Sequence, residues 1–191
     1  VLLFGGYFWY NYSKTSYVYN RSATVMIKTP ANSQSTIRMN RYNDFLGQVN
    51  MANELLQFRS KELMRRVIDR LRADVSYVVR DGLRRKELYT AAPVRVSFVG
   101  AGPEAALTLT VTPKNNREAE LSDFSRGEKK IMTVHLNDTV GTPLGKLAVF
   151  AAENYTPDCF GQPIRVSKSP RERMVDFYLS NLLIKQMDED A

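Results

Sequence analysis

Cys159 and His135 are the only cysteine and the only histidine in the chain, and they limit the chemistry it can hold. A lone cysteine excludes an intrachain disulfide and a cysteine-rich zinc site, and a lone histidine leaves no imidazole cluster for a metal. No motif joins the two into a nucleophile and its base, so each reads as a packing group. "GTPLGKL" (141–147) carries Gly141, Gly145 and Lys146 in the manner of a phosphate-binding loop. Such a loop needs four residues between its glycines, so that backbone amides can wrap a phosphate, and a Ser or Thr after the lysine for magnesium. Here three residues separate the glycines and Leu147 follows the lysine, so a β-turn leading into "KLAVFA" is expected instead. "GAGPE" lacks a third glycine and a helix after it, and reads as a loop. Asn11, Asn20, Asn137 and Asn154 head N-x-S/T triplets, which matter only in a eukaryotic secretory setting. No catalytic residue, cofactor site or metal ligand is expected.

The groups that remain are charged and aromatic, and the elements carrying them decide what they do. A chain of 191 residues with 43% apolar and 25% charged side chains can bury a core. After a polar stretch, "SYVYNRSATVMIKT" predicts a strand from about Tyr17 to Lys28, with Ala23, Val25 and Ile27 on one face. Helical periodicity runs from about Tyr42 to Ala73, with a break near Gly47. Strands are expected at "VSYVV" (75–79), "VRVSFV" (94–99), "ALTLTVT" (106–112) and "KIMTVHL" (130–136), with shorter ones at "KLAVFA" and "PIRVS". "NNREAE" and the Gly82 region read as loops. A last amphipathic helix is expected from Pro170 to about Met187, before the acidic end "MDEDA". The expected fold class is α+β: a mixed sheet of about four to six strands packed against a long amphipathic helix and a C-terminal helix.

Charge concentrates in "FRSKELMRRVIDRLRADVSYVVRDGLRRKELY" (58–89), which sets ten Lys or Arg against five Asp or Glu in a chain of net charge +7. At about 100° per residue, Leu63, Met64, Val67, Ile68 and Leu71 fill an arc of roughly 140°, which is expected to be core. Lys61, Arg65 and Arg72 flank that stripe on one side and Arg59, Arg66 and Arg70 on the other, with Glu62 and Asp69 between the two rows. A helix laid along phosphates would not centre carboxylates on its outer face, since each repels the backbone it should neutralise. No aromatics interleave with these arginines for base stacking. A solvated, ion-paired face is therefore expected, and arginines beside an apolar stripe also suit contact with a neighbouring subunit.

The first residues, "VLLFGGYFWYNYSK", pass from apolar through dense aromatics to polar. Trp and Tyr gather where hydrocarbon meets water, so Tyr7, Phe8, Trp9, Tyr10 and Tyr12 are expected at a membrane interface, with residues 1–13 as the exit end of a transmembrane helix completed upstream. Residues 14–187 then form the folded domain and 188–191 an acidic end.

Four stretches carry a family resemblance: "SATVMIK", "ANELLQFRSKELMRRVIDRL", "VSYVVRDGLRRKELYTAAPVRVSF" and "GQPIRVSKSPRERMVDFYLSNLLIKQ". With the exit segment before them they resemble the chain-length determinant family of bacterial polysaccharide co-polymerases, most closely its Bacteroides-type members that carry a cytoplasmic autophosphorylating tyrosine kinase. The resemblance implies an inner-membrane protein whose α/β domain lies on the periplasmic side and assembles as a homo-oligomeric ring. It implies control of the length or export of capsule, exopolysaccharide or O-antigen chains by contact with the polymerase and export machinery and the glycan. It implies no cofactor and no nucleic acid, and places Arg59, Ser60, Arg65, Arg66 and Arg70 at subunit contacts. These residues hold no counterpart of the family's kinase, so no kinase activity is expected of them. Two other classes stay open: a basic nucleic-acid-binding domain, and a periplasmic glycan-binding module using Tyr77, Tyr89, Phe98 and Tyr155 as stacking platforms.

Overall fold

Alternation drives the architecture. In "LTLTVTP" every second side chain is fully enclosed while those between are half-buried, the pattern of a strand with one face on a core and one toward water. The computed structural model describes residues 2–14, 21–25, 55–82, 84–125 and 130–185. Within these, the elements run α1 (Leu2–Lys14), α2 (Lys61–Leu71), β1 (Val75–Asp81), β2 (Arg84–Glu87), β3 (Val94–Val99), β4 (Leu107–Pro113), β5 (Glu118–Ser122), β6 (Met132–His135), β7 (Thr139–Thr142), β8 (Gly145–Ala151), β9 (Ile164–Lys168) and α3 (Arg171–Asn181).

The strands form a six-stranded sheet in the order β2-β1-β9-β4-β5-β6 and a three-stranded sheet in the order β3-β8-β7. Every pairing among the described residues is antiparallel. The fold is α+β, as the residue patterns predict, but the sheets are not mixed. Nor does the core sit between a sheet and a helix. It lies between the two sheets, where Leu109, Val111, Leu121, Ile164 and Val166 of the larger meet Val94, Val96, Leu147 and Val149 of the smaller. The reason is visible in β8, whose Leu147, Ala148 and Val149 are buried in succession. A second sheet supplies enough apolar area to close the first one's inner face without a helix.

Among the described residues, six of the seven strands expected from residue patterns form, all but the one at Tyr17 to Lys28, and three more arise where turn chemistry was read as loop. Asn115 makes one of those turns: its side-chain oxygen accepts from the Arg117 and Glu118 amides at 2.8 and 2.9 Å, closing an Asx-type turn that starts β5. "GTPLGKL" is the β7–β8 hairpin, with Thr142 paired to Gly145. Gly145 sits at φ 107°, a conformation that costs a glycine little and a side chain much.

The helices depart further from expectation. Tyr42–Glu54 and Ile27 lie outside the described residues. Residues 21–25 form no strand, and Val25 is exposed. One helical turn at Leu55–Phe58 precedes a break at Arg59 and Ser60, so α2 spans 11 residues rather than continuing a long helix. Toward the C-terminus, α3 stops at Asn181 rather than near Met187. The Ser180 hydroxyl and Asn181 side-chain amide both donate to the Phe177 carbonyl, at 2.8 and 2.7 Å, local side-chain bonds of the kind that compete with continuation of a helix. Residues 186–191 lie outside the described set.

Candidate functional site

Because β1 follows α2 and α3 follows β9, pairing of β1 with β9 brings the two helices side by side and antiparallel. Ile68 of α2 and Val175 of α3 are both sealed, 1% and 0% exposed. Around them the side chains zip. Lys61 Nζ meets Asp176 at 2.8 Å, Arg65 donates twice to Glu172 at 2.7 and 2.9 Å, and Arg171 donates to Asp69 at 3.0 Å. The hydrogen bonds from Arg65 hold the Glu172 carboxyl below its ordinary range, and Glu172 in turn raises the Arg65 guanidinium. Below the helix pair, Lys168 and Asp74 form a partly buried ion pair, and the Ser169 amide donates to the Asp74 carbonyl at 2.8 Å.

This geometry corrects the expected roles on α2. The five apolar residues were expected to face a core together, yet Leu63, Val67 and Leu71 are 40%, 39% and 70% exposed. Only Ile68 is buried, with Met64 and Arg65 half-covered beside it. Placed at 100° per residue, the covered face is turned by roughly 70° from the apolar stripe toward the Lys61 and Arg65 flank. The pull comes from α3, which presents Glu172 and Asp176 to that flank. Arg65 is therefore engaged by Glu172 within its own chain. Arg66 pairs with Glu62 at 3.1 Å. Arg59 and Arg70 are exposed, and Ser60 occupies the N-cap position without a capping hydrogen bond. What α2 leaves exposed is thus a row, Leu63, Val67 and Leu71, edged by Arg66 and Arg70.

The aromatic segment is helical as α1, and Tyr7, Phe8, Trp9, Tyr10 and Tyr12 are all exposed. The Arg84 guanidinium lies 4.9 Å from the centre of the Tyr12 ring, a cation–π contact. Among the described residues no helix is long and apolar enough to cross a membrane.

A third feature escaped the sequence reading. The outer face of the larger sheet is polar, and across β1, β9, β4 and β5 the register aligns Val78, Arg165, Thr110 and Ser122 in one row. Arg80 stands two residues along from Val78 and directly opposite Arg85. Val78, Arg80, Arg85, Thr110 and Arg165 line an open cavity of about 750 Å³ together with Glu87, Tyr89 and Asp123. Thr110 Oγ1 donates to Asp123 at 3.1 Å. Among the described residues, Arg80, Arg85 and Arg165 make no ion pair. Arg80 and Arg85 were legible as charge, and the Asp-Gly step between them is a hairpin signal that the loop reading passed over. Arg165 was not, because only the long-range β1–β9 pairing brings it there.

Of the four aromatics considered as sugar platforms, only Tyr89 reaches this cavity, 58% exposed. Tyr77 is turned inward, its hydroxyl accepting from the Val96 amide at 2.9 Å, and burial pushes that hydroxyl up. Phe98 packs on the core. Tyr155 donates to the Asn115 carbonyl at 2.8 Å and tilts against Phe160. Among the described residues no group of His, Cys, Asp and Glu could hold a metal ion. Cys159 is buried. No family model matches the chain, and no curated protein matches it significantly.

Proposed function

We propose that this domain belongs to a membrane-anchored polysaccharide co-polymerase and acts on the periplasmic side by assembling with copies of itself, holding the polymerase and export machinery to a set chain length. The observation that carries this reading is the exposed row Leu63, Val67 and Leu71. Monomeric proteins seldom leave a continuous apolar ridge in water, and ridges of this kind mark contacts. Spacing of four residues lets such a ridge seat in a facing groove, and Arg66 and Arg70 along its edge can reach a neighbour's carboxylates. The exposed aromatics of α1 support the membrane side of the reading, since Trp and Tyr are stable at the boundary of hydrocarbon and water. The family resemblance supplies the polysaccharide.

Cross-linking tests it. Leu71→Cys places a thiol on the row, and the native Cys159 is buried, so a maleimide cross-linker reports on the new site. The full chain in membranes is expected to give a covalent dimer with Leu71→Cys and none with Glu153→Cys, an exposed position on another loop. Equal dimer yields from the two variants, or none from Leu71→Cys, would contradict assembly through α2.

A further inference from the structure

We infer that the cavity on the outer face of the larger sheet binds an acidic saccharide, a hydroxyl-rich chain bearing carboxylate groups. The inference goes beyond assembly and stands without it, because it rests on the cavity alone. Directly opposed residues of an antiparallel pair hold their Cβ atoms about 4.5–5.5 Å apart, and like charges in that position repel. Arg80 and Arg85 are such a pair. Arg165 is diagonal to Arg80, since Val78 is its direct partner. Three guanidinium groups therefore crowd one concavity with no carboxylate of the described residues paired to them. An arrangement that opposes folding, in a cleft open to solvent, is stabilised by an anion from outside. Guanidinium groups take a carboxylate through two parallel hydrogen bonds.

The remaining lining selects among anions. Glu87 and Asp123 put acceptors into the cavity, while Thr110 and Ser167 add hydroxyls. A uronate sugar presents free hydroxyls beside its carboxylate and uses both sets, whereas a DNA backbone has no free hydroxyls along its length to offer those two carboxylates and its phosphates are repelled by them. A single-stranded nucleic acid also calls for successive stacking rings, and among the described residues Tyr89 is the one aromatic side chain in the lining. Its exposed ring gives an apolar face with a polar tip, suited to a sugar ring. The volume, about 750 Å³, falls in the roughly 300–1,000 Å³ range of small-ligand sites and accommodates a short segment of such a chain.

The probe is a hexamer of galacturonic acid, with a galactose hexamer as the uncharged control and single-stranded DNA of equal charge as the competitor. Titration calorimetry on the full chain in non-ionic detergent is expected to show binding of the uronate alone. In nitrogen-edited spectra the side-chain Nε–H signals of Arg80, Arg85 and Arg165 are expected to move. Arg165→Gln is expected to weaken binding about tenfold, the loss of one charge-assisted pair. Arg85→Gln carries a second signature, weaker binding together with a melting temperature about 1–2 °C higher, because the repulsion on Arg80 is relieved. No uronate binding, arginine signals that stay fixed, or equal binding of the DNA would each overturn the proposal. Particle mass, measured separately, reports on assembly, so the two readings fail independently.

Discussion

Alanine replacements at Ile68 and Leu71 separate the observed helix face from the one that periodicity predicts. Ile68→Ala removes three carbon groups from a side chain 1% exposed. At about 0.8 kcal/mol for each group the transfer loss is about 2.4 kcal/mol, and the cavity left between α2 and α3 brings the total to about 2.5–4 kcal/mol. Leu71→Ala removes the same number of groups from a side chain 70% exposed, so about three-tenths of the transfer loss applies, roughly 0.7 kcal/mol. Urea unfolding followed by circular dichroism, at low protein concentration, reads both. The expected ratio is at least threefold. Raising the concentration should increase the cost of Leu71→Ala and leave that of Ile68→Ala unchanged, since copies that cover Leu71 stabilise only the folded state. Equal costs at low concentration would mean that the apolar stripe lies in the core as a unit, and the rotated face would be wrong.

Other perturbations follow from the same geometry. Glu172 has a folded pKa below its unfolded value of about 4.3, so its contribution is present above that value and is lost as pH falls through the folded one; wild type should lose urea resistance below about pH 4.3 more steeply than Glu172→Gln. Tyr77→Phe leaves the Val96 amide without its acceptor and should cost about 1–3 kcal/mol in the same unfolding assay. Asp74→Ala strands the Lys168 ammonium, whose side chain is nearly covered, and should cost about 3–5 kcal/mol, whereas a joint replacement of both by apolar residues should recover most of it.

The apolar strands were legible because their pattern is local. "VSYVV", "VRVSFV", "ALTLTVT" and the three apolar runs after them each hold alternating or continuous apolar residues, and each forms. β2, "RRKE", was not legible, since an edge strand with polar side chains is defined by its partner β1 rather than by its own composition. The sheet-on-sheet core was equally hidden, because apolar periodicity shows which face is buried and not what covers it. On α2 the amphipathic stripe was visible and its orientation was not. Three ion pairs with a helix 100 or more residues away set the rotation, and nothing near Arg65 in the sequence announces Glu172. The same distance conceals the arginine cavity, where Arg80 and Arg165 meet only through the sheet.

Particle mass tests assembly most directly. Light scattering coupled to gel filtration of the full chain, solubilised in non-ionic detergent, should give a closed multimer of fixed size. Val67→Glu sets a carboxylate in the middle of the exposed row at a position 39% exposed, where the lone chain tolerates it and a neighbour's apolar surface does not. That variant should run as a monomer with an unchanged circular-dichroism spectrum. A wild-type chain that stays monomeric at every concentration, or a multimer that survives Val67→Glu intact, would contradict assembly through α2.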